Sequence, residues 1–282
     1  MISRRRFLQA GATGALTVLG ARSVLASEAR VDPTGGGAVL VDLTRCIGCR
    51  ACENACLVRA GFPGLPTAPI GYGEGDGKLT FRTRTFIDVR NGGTKQKQPV
   101  NRQCMHCLEP ACVSVCPVGA LEKTTASPVV YHENICIGCR YCLLACPFGV
   151  PKYEWDNALM PRVGKCDFCT DRQASSRLPA CVAACPTGTL KFGKRGELLQ
   201  EAHARLTSQP NRYAAVYGEN IVGGTSWIYL ADTAPEELGF PKGLPNEGLP
   251  ALTWKAISKV PFVVIGVGLM LGAIARWRSK EV

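Results

Sequence analysis

Apolar and polar positions change over in short runs along most of this chain, and only the C-terminal end carries a long apolar stretch. Residues 38–42, Ala-Val-Leu-Val-Asp, are a brief apolar run that predicts a strand. Residues 79–89 alternate basic or polar with apolar or Thr residues, as a half-exposed strand does. Residues 129–132, 190–193 and 226–230 are further strand candidates, and 197–206 is a run of good helix formers. Between them lie Gly- and Pro-rich segments. Residues 59–77 read as a loop or insertion, and 27–37, ending in three glycines, as a linker. The pattern predicts an α+β fold of short strands and helices with little conventional apolar core.

The two ends differ from the middle. Residues 260–275 are uncharged and apolar or Gly apart from Pro261. At ~1.5 Å per residue they span only about 24 Å, short of a hydrocarbon core of about 30 Å. Extension to Trp254 and Trp277 gives about 36 Å, with an aromatic residue at each interface and Lys255 and Lys259 placed to snorkel. A transmembrane helix is therefore expected over 253–278, with 279–282 as a short tail; a buried helix of a soluble core is the alternative. Gly268 and Gly272 offer a small-residue face to another membrane helix. Arg276, Arg278 and Lys280 place the C-terminus in the cytoplasm by the positive-inside rule. At the other end, Ser3-Arg4-Arg5-Arg6-Phe7-Leu8-Gln9 resembles a twin-arginine export motif, followed by a weakly apolar stretch and a small-residue cleavage position after Ala26. Both ends assign the middle of the chain to the far side of the membrane.

That middle holds 16 cysteines, all in sets of four. The sets are Cys46, Cys49, Cys52, Cys56; Cys104, Cys107, Cys112, Cys116; Cys136, Cys139, Cys142, Cys146; and Cys166, Cys169, Cys181, Cys185. The third set, closed by Pro147, has the C-x-x-C-x-x-C-x-x-x-C-P spacing that holds [4Fe–4S] clusters in bacterial ferredoxins. Disulfides are the ordinary reading of cysteines in an exported chain, but thiols three residues apart on short loops are poorly placed to pair in four repeated sets. Zinc favours pairs of C-x-x-C across a longer gap, which only the fourth set approaches. Four [4Fe–4S] clusters account for every cysteine.

The clusters change the meaning of the charge. The formal net charge is +11, which suggests nucleic acid. Removal of Arg4, Arg5, Arg6 and Arg22 with the export segment leaves +7 (11 − 4), and four clusters at about −2 each bring the total near neutral. Arg50, Arg140 and Lys165, beside cysteines, are placed to offset cluster charge, although a solvated surface charge is the default reading of each.

The chain also repeats itself. Cys46-Ile47-Gly48-Cys49-Arg50 recurs as Cys136-Ile137-Gly138-Cys139-Arg140, and residues 110–121 recur at 179–190. First set matches third and second matches fourth, as in a duplicated two-cluster unit. Short helices are expected just after each third cysteine. Nineteen residues separate Cys116 from Cys136 and again Cys146 from Cys166, a spacing that equally suits two tandem ferredoxins. His106 is placed to hydrogen-bond a cluster sulfur; His132 and His203 read as structural. Tyr153 and Trp155 read as core packing, and residues 207–252 as a cover or docking segment. No nucleotide loop, paired-carboxylate site or nucleophile signature is present, so no catalytic residues are expected and the chain is read as an electron carrier.

Residues 42–192 resemble the four-cluster iron–sulfur subunits of membrane-bound redox complexes. Within them, Gln103-Cys104-Met105-His106-Cys107, residues 113–118, Gly138-Cys139-Arg140-Tyr141-Cys142 and residues 150–153 resemble the electron-transfer subunit of periplasm-facing hydrogenase-2-type [NiFe] uptake hydrogenases. The resemblance implies two ferredoxin-like subdomains with insertions over 38–206. It implies one cluster on Cys46, Cys49, Cys52 and Cys185, and one on Cys166, Cys169, Cys181 and Cys56. The other two fall on Cys104, Cys107, Cys112 and Cys146, and on Cys136, Cys139, Cys142 and Cys116. It implies a catalytic hydrogenase small and large pair and a quinone-reactive membrane subunit as partners. Formate dehydrogenase, a molybdenum or tungsten enzyme, is the alternative partner, and an exported zinc- or disulfide-stabilised structural protein the alternative of another class. In this reading the Cys104–Pro147 stretch holds the middle of the wire.

Overall fold

The computed structural model describes residues 34–64, 78–92, 95–157 and 162–278. The described residues all belong to one compact unit. The expected export segment, most of the linker and the 279–282 tail lie outside the described residues.

The expected strand at 38–42 is β1 (Gly37–Asp42), and it is almost wholly buried. Its Val39 and Val41 face one way and Ala38 and Leu40 the other, and both faces are covered. The neighbours are β8 (Leu190–Lys194), antiparallel, and β10 (Trp227–Ala231), parallel. With β9 (Ala215–Tyr217) they form a four-stranded sheet in the order β8-β1-β10-β9. A central parallel pair has no solvent face, so both strands read as continuous apolar runs, AVLV against WIYLA. A helix, Arg195–Ser208, covers one face through Leu198 and Ala202. The other face, with Val39, Val41, Trp227 and Tyr229, packs onto Phe168 and the cysteines Cys46, Cys52 and Cys181.

Two expectations are corrected here. Residues 215–231 do more than cover: β10 lies inside the sheet and supplies Trp227 and Tyr229, each 1 % exposed. The protein consequently has a conventional apolar core beside its cysteines. The strand expected over 79–89 begins only at Thr85: residues 79–84 are a loop, with Thr80 N–H bonded to Thr83 O at 3.1 Å, and 85–89 belong to a longer hairpin, β2 (Thr85–Gly92) with β3 (Lys95–Gln103). That hairpin delivers Cys104. It is tied to the sheet by Tyr229, whose hydroxyl accepts from Gln103 Nε2 at 2.6 Å and donates to Asn101 O at 2.9 Å. Smaller pairs, β4 (Leu121–Lys123) with β5 (Val129–Tyr131) and β6 (Lys152–Tyr153) with β7 (Val163–Gly164), frame the remaining cysteine loops.

At the C-terminus, helices Leu249–Ile257 and Val260–Arg278 follow one another across Ser258 and Lys259, just before Pro261. Pro261 has no N–H to continue the first helix and sits in the opening turn of the second. Residues 249–274 make one apolar span of 26 residues, none of its most apolar window buried. Its length, roughly 39 Å at ~1.5 Å per residue, exceeds a bilayer core. Side chains such as Phe262 and Leu269, 76 % and 72 % exposed, have no protein partner to cover them among the described residues. The helix is a candidate membrane anchor, starting four residues before the expected boundary at 253.

Candidate iron–sulfur sites

Each C-x-x-C loop needs a backbone reversal at its third position. Gly48 and Gly138 supply it with φ of 71° and 70°, where a side chain would be strained. In the other two loops His106 (φ 46°) and Phe168 (φ 60°) occupy the same place despite their side chains. Both are fully buried, and their rings stack at 4.7 Å. Phe168 also meets Phe192 and Trp227, each at 6.0 Å. The duplication therefore closes on itself: equivalent residues of two repeats stack against the sheet, and that packing holds an unfavourable backbone conformation in place.

The short helices begin one residue before the third cysteine of each set. They are Ala51–Arg59 with Cys52, Ala111–Ser114 with Cys112, Tyr141–Ala145 with Cys142 and Ala180–Ala183 with Cys181. Each third cysteine thus sits in an opening turn, where backbone N–H groups are free to meet a negative charge. The expectation that the helices begin after that cysteine is corrected accordingly.

The sixteen thiols gather in four groups. Cys46, Cys49, Cys52 and Cys185 line one cavity, and Cys116, Cys136, Cys139 and Cys142 line another. Burial pushes Cys107 well up, and the neighbouring Cys104, Cys146 and Cys112 push it further. Burial and then Cys169 and Cys56 raise Cys181 in the same way. Across groups, Cys52 packs in one cluster with Cys181, Cys166 in another with Cys104, and Cys112 in a third with Cys142. These links string the groups in one file. The Cys104–Pro147 stretch falls in one half of the file, with the group of the exposed Cys139 at its end, and not in the middle as expected.

The donor set suits a cluster better than a lone ion. None of the sixteen cysteines forms a disulfide. Among the described residues no three His, Cys, Asp or Glu side chains close on a single metal ion, whereas a cubane spreads its thiolates over four corners. Buried thiols that raise one another's pKa need a cationic core to hold them as thiolates. Donors to sulfur are already aimed: Ala120 N–H to Cys116 at 3.2 Å, Phe168 N–H to Cys166 at 3.3 Å, and Ala180 N–H to Cys169 at 3.4 Å. Cys185 is held below its usual value: burial opposes ionisation, but hydrogen bonds from Leu190, Thr187 and Thr189 outweigh it.

A 4Fe-4S dicluster domain matches residues 97–195. Hydrogenase-2 operon protein HybA of Escherichia coli O157:H7 is 36% identical over 279 residues, covering 86% of this chain and 84% of the relative. The nitrate-inducible formate dehydrogenase iron-sulfur subunit of Escherichia coli (strain K12) is 32% identical over 259 residues, 87% of each. A protein of Nitratidesulfovibrio vulgaris is 38% identical over 293 residues, 99% of this chain and 78% of its own length. The chain belongs to this family of ferredoxin-type iron–sulfur subunits. As an electron-transfer member of the family it holds multiple [4Fe–4S] clusters, and the thiol groups above fit them.

Other residues hold the cysteine loops in place. Arg59 ends the first cysteine helix and grips both oxygens of Asp167 at 2.8 and 2.9 Å, together with Asp171. Asp167 in turn accepts from Cys169 N–H at 2.8 Å, so this ion pair shapes the fourth cysteine loop. Arg59→Ala leaves part-buried Asp167 with Arg84 alone, at 3.3 Å, and takes the arginine from Asp171. A loss of about 1–3 kcal/mol is expected, read as a lower denaturation midpoint of the loaded protein.

His132 and His203 pair with Glu122 and Glu219, each at 2.9 Å, as structural residues would. His106 Nδ1 accepts from Val129 N–H at 2.9 Å, which leaves Nε2 as the other ring position, buried with no partner among the described residues. Trp155 is 68 % exposed and packs edge-on against Tyr153 under Arg140, so the core-packing expectation for it is corrected. Lys165 is also unlike its default reading: it is 4 % exposed. Sequence reasoning missed Lys123, Asn101 and Asp42. Asp42, buried, accepts from Thr44 N–H, Arg205 and the Tyr213 hydroxyl, and so fixes the turn into Cys46.

Proposed function

We propose that this chain carries electrons, without catalysis of its own, from a periplasmic [NiFe] hydrogenase module to a quinone-reactive membrane subunit. The observation that carries the reading is a file of four thiol groups, each packed against the next, in a chain that also has an unburied apolar C-terminal span. When bound, each [4Fe–4S] cluster supplies a one-electron couple. The protein's task is to hold four such couples in line and out of water.

The proposed ligand sets are Cys46, Cys49, Cys52 with Cys185; Cys166, Cys169, Cys181 with Cys56; Cys104, Cys107, Cys112 with Cys146; and Cys136, Cys139, Cys142 with Cys116. The shared cavities and mutual thiol fields support them. The twin-arginine motif over residues 3–9 and the basic residues after the apolar span support a periplasmic location with a cytoplasmic C-terminus. The likeness to HybA supports the hydrogenase partner. The likeness to formate dehydrogenase subunits supports a second reading, the same wire serving a molybdenum or tungsten enzyme. Metal analysis of the detergent-solubilised native complex separates the two. Nickel is expected to co-purify with the chain; molybdenum or tungsten without nickel would replace the hydrogenase assignment by the second reading.

A further inference from the structure

The cations near the thiol groups are of two kinds. Around two of the four groups they are arginines already bound to carboxylates. Arg50 pairs with Glu53 at 2.8 Å beside Cys52. Arg59 and Arg84 pair with Asp167, at 2.8 and 3.3 Å, beside Cys56. Such pairs present little net charge to a neighbour. Arg140, beside Cys139, lies over Tyr153 and Trp155 at the surface, where water screens it.

Lys123 and Lys165 are different. Lys165 is buried, and among the described residues its ammonium donates to the carbonyls of Val129 and Cys166, the latter at 2.9 Å. Lys123 is half-buried and donates to the carbonyls of His106, at 3.1 Å, and Ser127. Among the described residues neither forms an ion pair with a carboxylate. Two ammonium groups with only carbonyl partners are costly unless an anion lies close. The anionic groups nearest them are thiols: the His106 carbonyl that Lys123 meets at 3.1 Å lies between Cys104 and Cys107, Lys123 is within the field of Cys107, Cys104 and Cys112, and Cys112 is within that of Lys165. All three belong to one proposed ligand set.

We infer that Lys123 and Lys165 are positioning residues for electrons: their charges make the Cys104, Cys107, Cys112 and Cys146 site the one in the file that is reduced most readily. Reduction adds one negative charge there, and fixed cations at low local dielectric favour the more negative state. One electron enters from an adjoining group and leaves to the other neighbour. The inference rests on the ligand grouping proposed above.

The test is an EPR-monitored redox titration of the detergent-solubilised complex, with iron and labile sulfide counted in each sample. In Lys123→Gln the amide can still donate to carbonyl oxygens but carries no charge. It should lower the highest midpoint by at least a tenfold loss in the one-electron reduction constant, about 59 mV. The other midpoints should move less, and Lys123→Arg should restore the original value. Cys112→Ser should disturb the same midpoint. If it disturbs a different one while Lys123→Gln acts as stated, the ligand grouping fails and the lysine effect stands. An unchanged highest midpoint in a fully loaded Lys123→Gln protein overturns the inference. Should that variant bind less iron, Lys165→Gln serves in its place. Low iron in both Gln variants and in Lys123→Arg assigns the lysines to folding alone and overturns the inference; low iron in the Gln variants with full iron in Lys123→Arg supports a need for the charge.

Discussion

Cys181→Ser is expected to lower iron and labile sulfide from about sixteen to about twelve each per chain and to destabilise the whole cysteine region. Cys181 is 8 % exposed, lies in the opening turn of the Ala180–Ala183 helix, and packs in the same core as Val39, Phe168 and Trp227. Serine is a poor donor to iron at neutral pH, since its hydroxyl does not ionise there. Its group loses a thiolate at the point where the helix N-terminus and Cys52 of the adjoining group converge. The loss is therefore expected to spread. Thermal unfolding of the variant should begin earlier than in the parent, and reduction should develop a weaker EPR signal. Full iron content in Cys181→Ser would remove it from the ligands.

Phe168→Ala is expected to cost about 3–5 kcal/mol and to loosen two thiol groups together. The Phe168 ring is 1 % exposed and touches His106, Phe192 and Trp227. Its truncation opens a cavity between the sheet and the cysteine loops. It also releases the stack that holds His106 and position 168 in their left-handed conformation, so Cys107 and Cys169, the next residues, lose their placing. Chemical denaturation of the loaded protein measures the first effect, and the rate of iron release to a chelator the second. Faster iron release with unchanged stability, or the reverse, would separate two roles that the structure joins in one ring.

Some of this arrangement was legible in the chain alone. The cysteines announced themselves because cluster ligation demands close spacing, and close spacing is local. β1 and β5 were legible because their apolar runs are short and bounded by turns. β3 was not, because its buried residues include Gln98, Asn101 and Gln103, whose burial depends on partners such as Leu43 O and the Tyr229 hydroxyl. The strand at 226–230 was legible as a strand but not as the centre of a sheet, since its parallel partner β1 is remote in sequence. The apolar core was underestimated for the same reason. Lys123 looks like any solvated lysine in the sequence, and Lys165 stands out there only by its place beside Cys166; the fold that turns His106 and Val129 towards them half-buries the first and buries the second. Left-handed backbone at His106 and Phe168 was equally hidden, because the Gly that marks the position in the other two loops is absent.

The account stands on sixteen cysteines acting as four sets of four. Its most direct test is the iron and labile-sulfide content of the full chain, purified without oxygen in its native complex, with EPR spectra recorded during reduction. About sixteen iron and sixteen sulfide per chain, with a reducible [4Fe–4S] signal, is the result predicted. Stoichiometric zinc, or disulfides with no labile sulfide, would contradict it.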